Sequence, residues 1–228
     1  MIAEYKKYDQ FLLAVDCIIF GFDGSRLKAL LIHRGFEPEK GKWSLMGGFV
    51  NMDESVDDAA KRILYELTGL NKIYMEQLHC FGDVQRDRGG RVVSIAYFAL
   101  IRSDEYSEIL MSRYNSQWFD LDEVPQMVFD HAKMLQMARE KLEEKVSNHP
   151  IGFALLPNKF TLPQLQALYE AIYDRALDKR NFTKRILALQ ILNKLDKKDK
   201  ISSRKGAYYY VFDKKKYAEL EKTGIKFI

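Results

Sequence analysis

The stretch GGFVNMDESVDDAAKRILYELTGL, residues 47–70, decides how this chain is to be read. Its second half carries Val56, Ala59, Ala60, Ile63, Leu64 and Leu67, which at ~100° per residue fall on one apolar stripe of a helix. Ile63 and Leu67 are i,i+4 neighbours on that face, and Glu66 stands at its edge. A glycine pair precedes the helix and opens a loop that holds Glu54. Glu54 and Arg62 are placed to pair with each other and fix the loop.

Short apolar bursts lie to either side: FLLAVDCIIFGF (11–22), LKALLIHR (27–34), VVSIAYFALI (92–101) and SQWFDLDEV (116–124). Their length and their aromatic and β-branched content predict strands, separated by Asp23-Gly24, Gly89-Gly90 and charged turns. Helical patterns at about 55–68 and 130–147 interleave with them. The reading is an α+β or α/β layered body that ends near residue 148. Asp130 is read as a cap of the second helix, and Cys17 as an inert core thiol.

Beyond His149 the charge changes. Residues 150–228 carry 17 Lys and Arg against 8 Asp and Glu, a net +9, whereas residues 1–149 carry a net −5. A basic C-terminal third beside a mildly acidic body is the distribution expected when one part meets a polyanion. Thr161 and Pro163 open a helix with Leu165, Leu168, Tyr169 and Ile172 at helical spacing. Asp178 then precedes KRNFTKRILALQIL, with Phe182, Ile186 and Leu189 as the apolar face. Two strands, 191–195 and 207–213, flank a basic connection. Helix, turn, basic helix and hairpin is the order of a winged helix-turn-helix. In such a domain the second helix meets base edges and phosphates, so Lys179, Arg180, Asn181, Thr183, Lys184 and Arg185 are the candidate DNA contacts. Ser203, Arg204 and Lys205 at the hairpin tip join them. Tyr208 and Tyr210 are expected to pack on one side of their strand.

Residues Gly48, Glu54, Arg62, Leu64, Glu66, Gly69 and Leu70 resemble the Nudix box at its own spacing, and the helix after it departs from the family where Ile63 and Leu67 replace glutamates. In that family the helix carboxylates hold Mg²⁺ for diphosphate hydrolysis. One helix carboxylate and Glu54, beside branched alkyl groups, make a poor cage for a divalent ion. No catalytic residue, metal ligand or cofactor is therefore assigned. The cleft of the shell remains as a binding site, with Arg34, Phe36, Glu37, Trp43, Met46, Arg86, Asp87 and Arg91 as its candidate ligand contacts.

The order of the two parts is similar to that of the Nudix-related transcriptional regulators. Segments such as DCIIFGF, WSLMGGFV, RVVSIAYFALI and DKRNF look closest to the L-arabinose-responsive regulators of the Bacteroidetes. The resemblance implies a Nudix-like α/β/α sandwich at 1–149 that senses ligand and dimerises, and a winged helix-turn-helix at 150–228. It implies a repressor of pentose-utilisation genes, a homodimer on a palindromic operator, released when L-arabinose binds the Nudix domain. Other members of the wider family respond to ADP-ribose and control NAD metabolism, and that reading stays open. A divergent Nudix hydrolase acting on ADP-ribose or a related nucleoside diphosphate is the enzymatic alternative.

Two cysteines, Cys17 and Cys80, exclude a disulfide scaffold or a four-cysteine zinc site. No run approaches the ~20 apolar residues of a membrane span, and the N-terminus lacks an apolar signal core. A soluble cytoplasmic protein without a membrane partner is expected.

Overall fold

The computed structural model describes residues 3–71, 73–105, 113–200 and 206–222. Strand β1 (Leu12–Phe22) is central. It runs antiparallel to β2 (Leu27–His33) and β4 (Met46–Phe49) and parallel to β6 (Val92–Leu100). β3 (Trp43–Ser44) and β7 (Ser116–Asp120) both pair with β2, and β5 (Tyr74–Phe81) closes the far edge on β6. The expected strand at 116–124 thus stops at Asp120, where a 3₁₀ turn over Leu121–Glu123 takes over.

β1 reads as nearly unbroken hydrocarbon because both faces of the sheet are covered. Val15, Cys17 and Ile19 pack under α1 (Val56–Thr68) with Ile63, Leu64 and Leu67. Ile18, Phe20 and Phe22, one step out of phase, pack with Met134, Leu135 and Ala138 of α2 (His131–Asn148). This is the α/β/α layering. Burial also holds the Cys17 thiol well above its ordinary pKa, an unreactive core thiol.

The second part follows a 3₁₀ segment, Pro150–Leu155. β8 (Phe160–Thr161) leads into α3 (Leu162–Tyr173), where Thr161 Oγ1 accepts from the Gln164 amide and Gln164 Oε1 accepts from the Thr161 amide. Asp174 ends α3 in the left-handed region, and Asp178 caps α4 (Lys179–Ala188) by accepting from the Asn181 amide. β9 (Leu192–Asp199) and β10 (Ala207–Phe212) complete a sheet in the order β8-β10-β9, followed by α5 (Lys214–Glu221). The arrangement is a winged helix-turn-helix.

Tyr208 does not pack with Tyr210 as expected. The register shifts between them, leaving Tyr208 at the surface under the Lys194 and Lys198 ammonium groups while Tyr210 packs against the core. The two parts are not separate cores. Leu142 and Val146 of α2 lie in one apolar cluster with Leu165, Leu168, Tyr169 and Ile172 of α3 and with Phe182 and Ile186 of α4. Among the described residues no helix is long and apolar enough to cross a membrane.

Candidate ligand cleft and nucleic-acid interface

The loop ahead of α1 is locked from within. Ser55 caps the helix by accepting from the Asp58 amide at 3.1 Å. Arg62 donates Nε and Nη2 to the two oxygens of Glu54, at 2.9 and 2.6 Å, and Nη2 also reaches the Phe49 carbonyl. The Asn51 amide adds a third donor to Glu54 at 2.8 Å. Arg62, then Asn51, hold the Glu54 carboxyl down at about 2. The expected Glu54–Arg62 pair is therefore present as a two-pronged clamp.

Ile63 and Leu67 are 3 % and 8 % exposed, inside the core with Val15, Cys17 and Ile19. Gly48 lies close beneath Ile63: a Cβ there would stand 3.1 Å from Ile63 Cδ1, tight enough that the side chain would have to shift. Glu66 turns to Arg62 at 3.5 Å. Magnesium asks for several oxygens in octahedral array. At the Nudix positions α1 offers one outward carboxylate, Glu66, while the loop carboxylate of Glu54 is clamped and Ile63 and Leu67 are buried alkyl groups, so the Nudix metal does not fit these residues. Among the described residues no cluster of three metal-ligating side chains occurs anywhere.

A charged cluster sits on the other face of the sheet. Asp16, the one acid within β1, accepts from Ser94 Oγ at 2.6 Å and lies 3.5 Å from Arg86 Nη2. Arg86 is 3 % exposed in its side chain and gives Nε and Nη2 to the Asp130 carboxylate at 3.0 and 2.8 Å. Asp130 does not cap α2 with its side chain, contrary to expectation, because Arg86 takes both of its oxygens. His131 Nδ1 accepts from the Leu45 amide at 3.0 Å, and its burial holds the imidazole below its ordinary pKa. A neutral ring suits an acceptor role.

Asp16, Arg34, Phe36, Phe49, Arg86 and His131 line one cleft. Asp87 and Phe129 complete its wall. The Arg34 guanidinium lies 4.0 Å from the Phe36 ring centre and 5.0 Å from that of Phe129, with Nε fixed on the Pro38 carbonyl at 2.6 Å. The walls are aromatic rings and guanidinium groups, the side-chain chemistry that recognises an aromatic base and an anionic group.

Of the candidate contacts, Arg34, Phe36, Arg86 and Asp87 meet in this cleft. Trp43 walls an adjoining one that shares Arg86 and Phe129, with its ring centre 3.7 Å from that of His33 at a tilt of 31°. Glu37 is exposed and lines neither. Met46 is fully buried beneath α1 because it pairs with Cys17 on the odd face of β1, away from the cleft. Arg91 points outward over Phe11 and donates to the Asp83 carbonyl. Asp16, Ser94 and His131 were not among the candidates. The available signal was an acid inside an otherwise apolar strand.

In the second part, Lys179, Arg180, Asn181, Lys184 and Arg185 are exposed on α4, and Thr183 is half-buried beside Phe182. Among the described residues none of these four cations forms an ion pair. Phe182 and Ile186 hold the opposite face, with Phe182 against Tyr169 at 5.6 Å. Ser203, Arg204 and Lys205 lie outside the described residues.

Comparison with known proteins matches both parts of the chain. Residues 10–138 match the NUDIX domain, and residues 152–212 match the NrtR DNA-binding winged helix domain. The chain is 35% identical over 217 residues to the ADPR responsive transcriptional repressor NtrR of Acinetobacter baylyi, covering 92% of this chain and 86% of the relative. It superposes on Shewanella oneidensis NrtR in complex with a 27mer DNA with a TM-score of 0.82 at 30% identity, covering 95% of this chain and 97% of that one. The NUDIX domain of the same NrtR complexed with ADP ribose matches with a TM-score of 0.52 at 32% identity, over 62% of this chain and 99% of that one. One relative is ADPR responsive and the NUDIX domain of another is complexed with ADP ribose, so L-arabinose and a role in carbohydrate metabolism find no support among these relatives. The chain belongs to the NrtR-type Nudix regulators, ligand-responsive DNA-binding transcriptional repressors.

Proposed function

We propose that this protein represses transcription by binding operator DNA through α4 and the β9–β10 wing, and that ADP-ribose bound in the Nudix cleft releases it. The observation that carries the reading is the pairing of fixed guanidinium groups with aromatic rings in one cleft: Arg34 over Phe36 and Phe129, and Arg86 beside them. An adenine fits the rings and a diphosphate fits the arginines. The Nudix chemistry itself is lost, because alkyl groups stand in the core where the family places magnesium ligands. The protein acts as a cytoplasmic homodimer on a palindromic site, since a two-fold axis presents two copies of α4 to successive turns of the major groove.

A second reading, a divergent Nudix hydrolase acting on ADP-ribose or a related nucleoside diphosphate, is favoured by a specific likeness. An ADP-ribose pyrophosphatase of Methanocaldococcus jannaschii is 34% identical over 136 residues, and Glu54 and Glu66 are both retained beside Arg62. Calorimetric titration of the full chain with ADP-ribose, joined to gel shifts on duplex selected from a random library, tests the first reading. Saturable binding that lowers DNA affinity supports it. DNA affinity unchanged at saturating ADP-ribose contradicts it.

A further inference from the structure

One helix touches both the cleft and the helix-turn-helix. α2 starts in the cleft, where Asp130 immediately before it holds the Arg86 fork and His131 lines the wall. Nine residues on, roughly 14 Å along the axis at ~1.5 Å per residue, Arg139 Nη2 donates to Asp174 Oδ2 at 3.1 Å. Asp174 is the left-handed residue (φ 50°, ψ 41°) in the turn between α3 and α4. Arg139 also faces Asp122 at 3.7 Å and Glu143 at 3.5 Å, so one guanidinium ties three carboxylates from both parts of the chain. Two turns further, Ser147 Oγ and Tyr173 Oη meet at 2.8 Å, beside the same turn.

We propose that α2 transmits cleft occupancy to the recognition helix, with the Arg86–Asp130 pair as its input and the Arg139–Asp174 pair as its output. The inference rests on the reading that ADP-ribose occupies the cleft. A diphosphate presents paired oxygens of higher charge than a carboxylate and competes for the fork Arg86 now gives to Asp130. Once that fork is withdrawn, Asp130 and Asp16 lose the cation between them, and the first turn of α2 loses its tie to the loop that carries Arg86. The second half of α2 shares its core with α3, and Arg139 at mid-helix pins α2 to the turn. A shift of α2 therefore re-aims α4. A ligand changes DNA affinity only through a difference between two such arrangements.

The test uses the full chain, ADP-ribose, and duplex selected from a random library by the wild-type protein. For wild type, Arg139→Ala, Arg139→Lys and Asp174→Asn, three affinities are measured: ADP-ribose alone, DNA alone, and DNA at saturating ADP-ribose. Wild type is expected to lose about tenfold or more in DNA affinity when ligand is present. Arg139→Ala and Asp174→Asn are expected to keep each separate affinity within about threefold while the ligand effect shrinks to about threefold or less. Arg139→Lys keeps most of it. Asn tolerates the left-handed conformation, and Asp174 is an exposed residue, so Asp174→Asn carries the test if Arg139→Ala disturbs folding. A purely structural role for the pair lowers the melting temperature and leaves the ligand effect at its wild-type size, which overturns the inference. A wild-type protein that does not bind ADP-ribose overturns the functional reading and the inference together.

Discussion

Helices α1 and α4 are built alike and used oppositely. Each is amphipathic, and each is opened by a short polar cap, Ser55 or Asp178. In α1 the positions that carry chemistry in the Nudix family point into the core as Ile63 and Leu67, and Arg62 is wholly engaged by Glu54, Glu66 and a backbone carbonyl. In α4 only Phe182 and Ile186 are buried, and Lys179, Arg180, Lys184 and Arg185 stand in solvent. An unpaired cation on a surface helix releases counterions when it meets phosphate. A cation already clamped by carboxylates does not have that capacity. The first helix thus stabilises a shell, and the second keeps its cations exposed, as meeting a polyanion requires.

The largest effect that would break this contrast is at Ile63. Placing an acid back in the stripe as Ile63→Glu buries an unpaired charge among Val15, Cys17 and Ile19, which costs about 4 kcal/mol of stability in a urea melt. A loss below ~1 kcal/mol would mean the stripe is not core. Next, Arg180→Ala is expected to weaken operator binding by about tenfold or more. Lys184→Ala is expected to lower the salt dependence by about one counterion. Both should leave ADP-ribose affinity unchanged. Operator binding unaffected by both would remove α4 from the interface. Asp178→Ala removes the cap seen at 2.8 Å and should cost about 1 kcal/mol, read as a fall in melting temperature.

The smallest expected effect is a pH dependence. His131 has its pKa depressed by burial from an ordinary 6.5, so the unfolded chain takes up its proton first. Stability is complete above about 6.5 and falls as pH drops below it. Asp16 and Asp130 oppose the effect of burial on this ring, and Arg86 and Arg34 add to it. His131→Gln should flatten the melting temperature between pH 7 and 5, and an unchanged slope would assign it to other groups.

Much of the fold is legible in the sequence because burial on two faces leaves a plain mark: β1 is eleven residues of near-continuous hydrocarbon. β5 escapes because its residues, YMEQLHCF, form an edge strand with a register shift between Gln77 and His79, so neither face alternates cleanly. Half of the cleft is legible, Arg34, Phe36, Arg86 and Asp87, since arginines and rings in loops signal a ligand. Met46 misleads because a strand places neighbours on opposite faces, and only pairing with Cys17 shows which. The Asp16–Arg86–Asp130 cluster joins residues 70 and 44 positions apart, a contact that periodicity does not carry.

The measurement that bears most directly on a sensing cleft is phosphorus NMR of the protein with ADP-ribose and Mg²⁺ over many binding lifetimes. The diphosphate signals should shift on binding and persist intact. Steady conversion to AMP and a sugar phosphate, abolished by Glu54→Gln, would contradict the account.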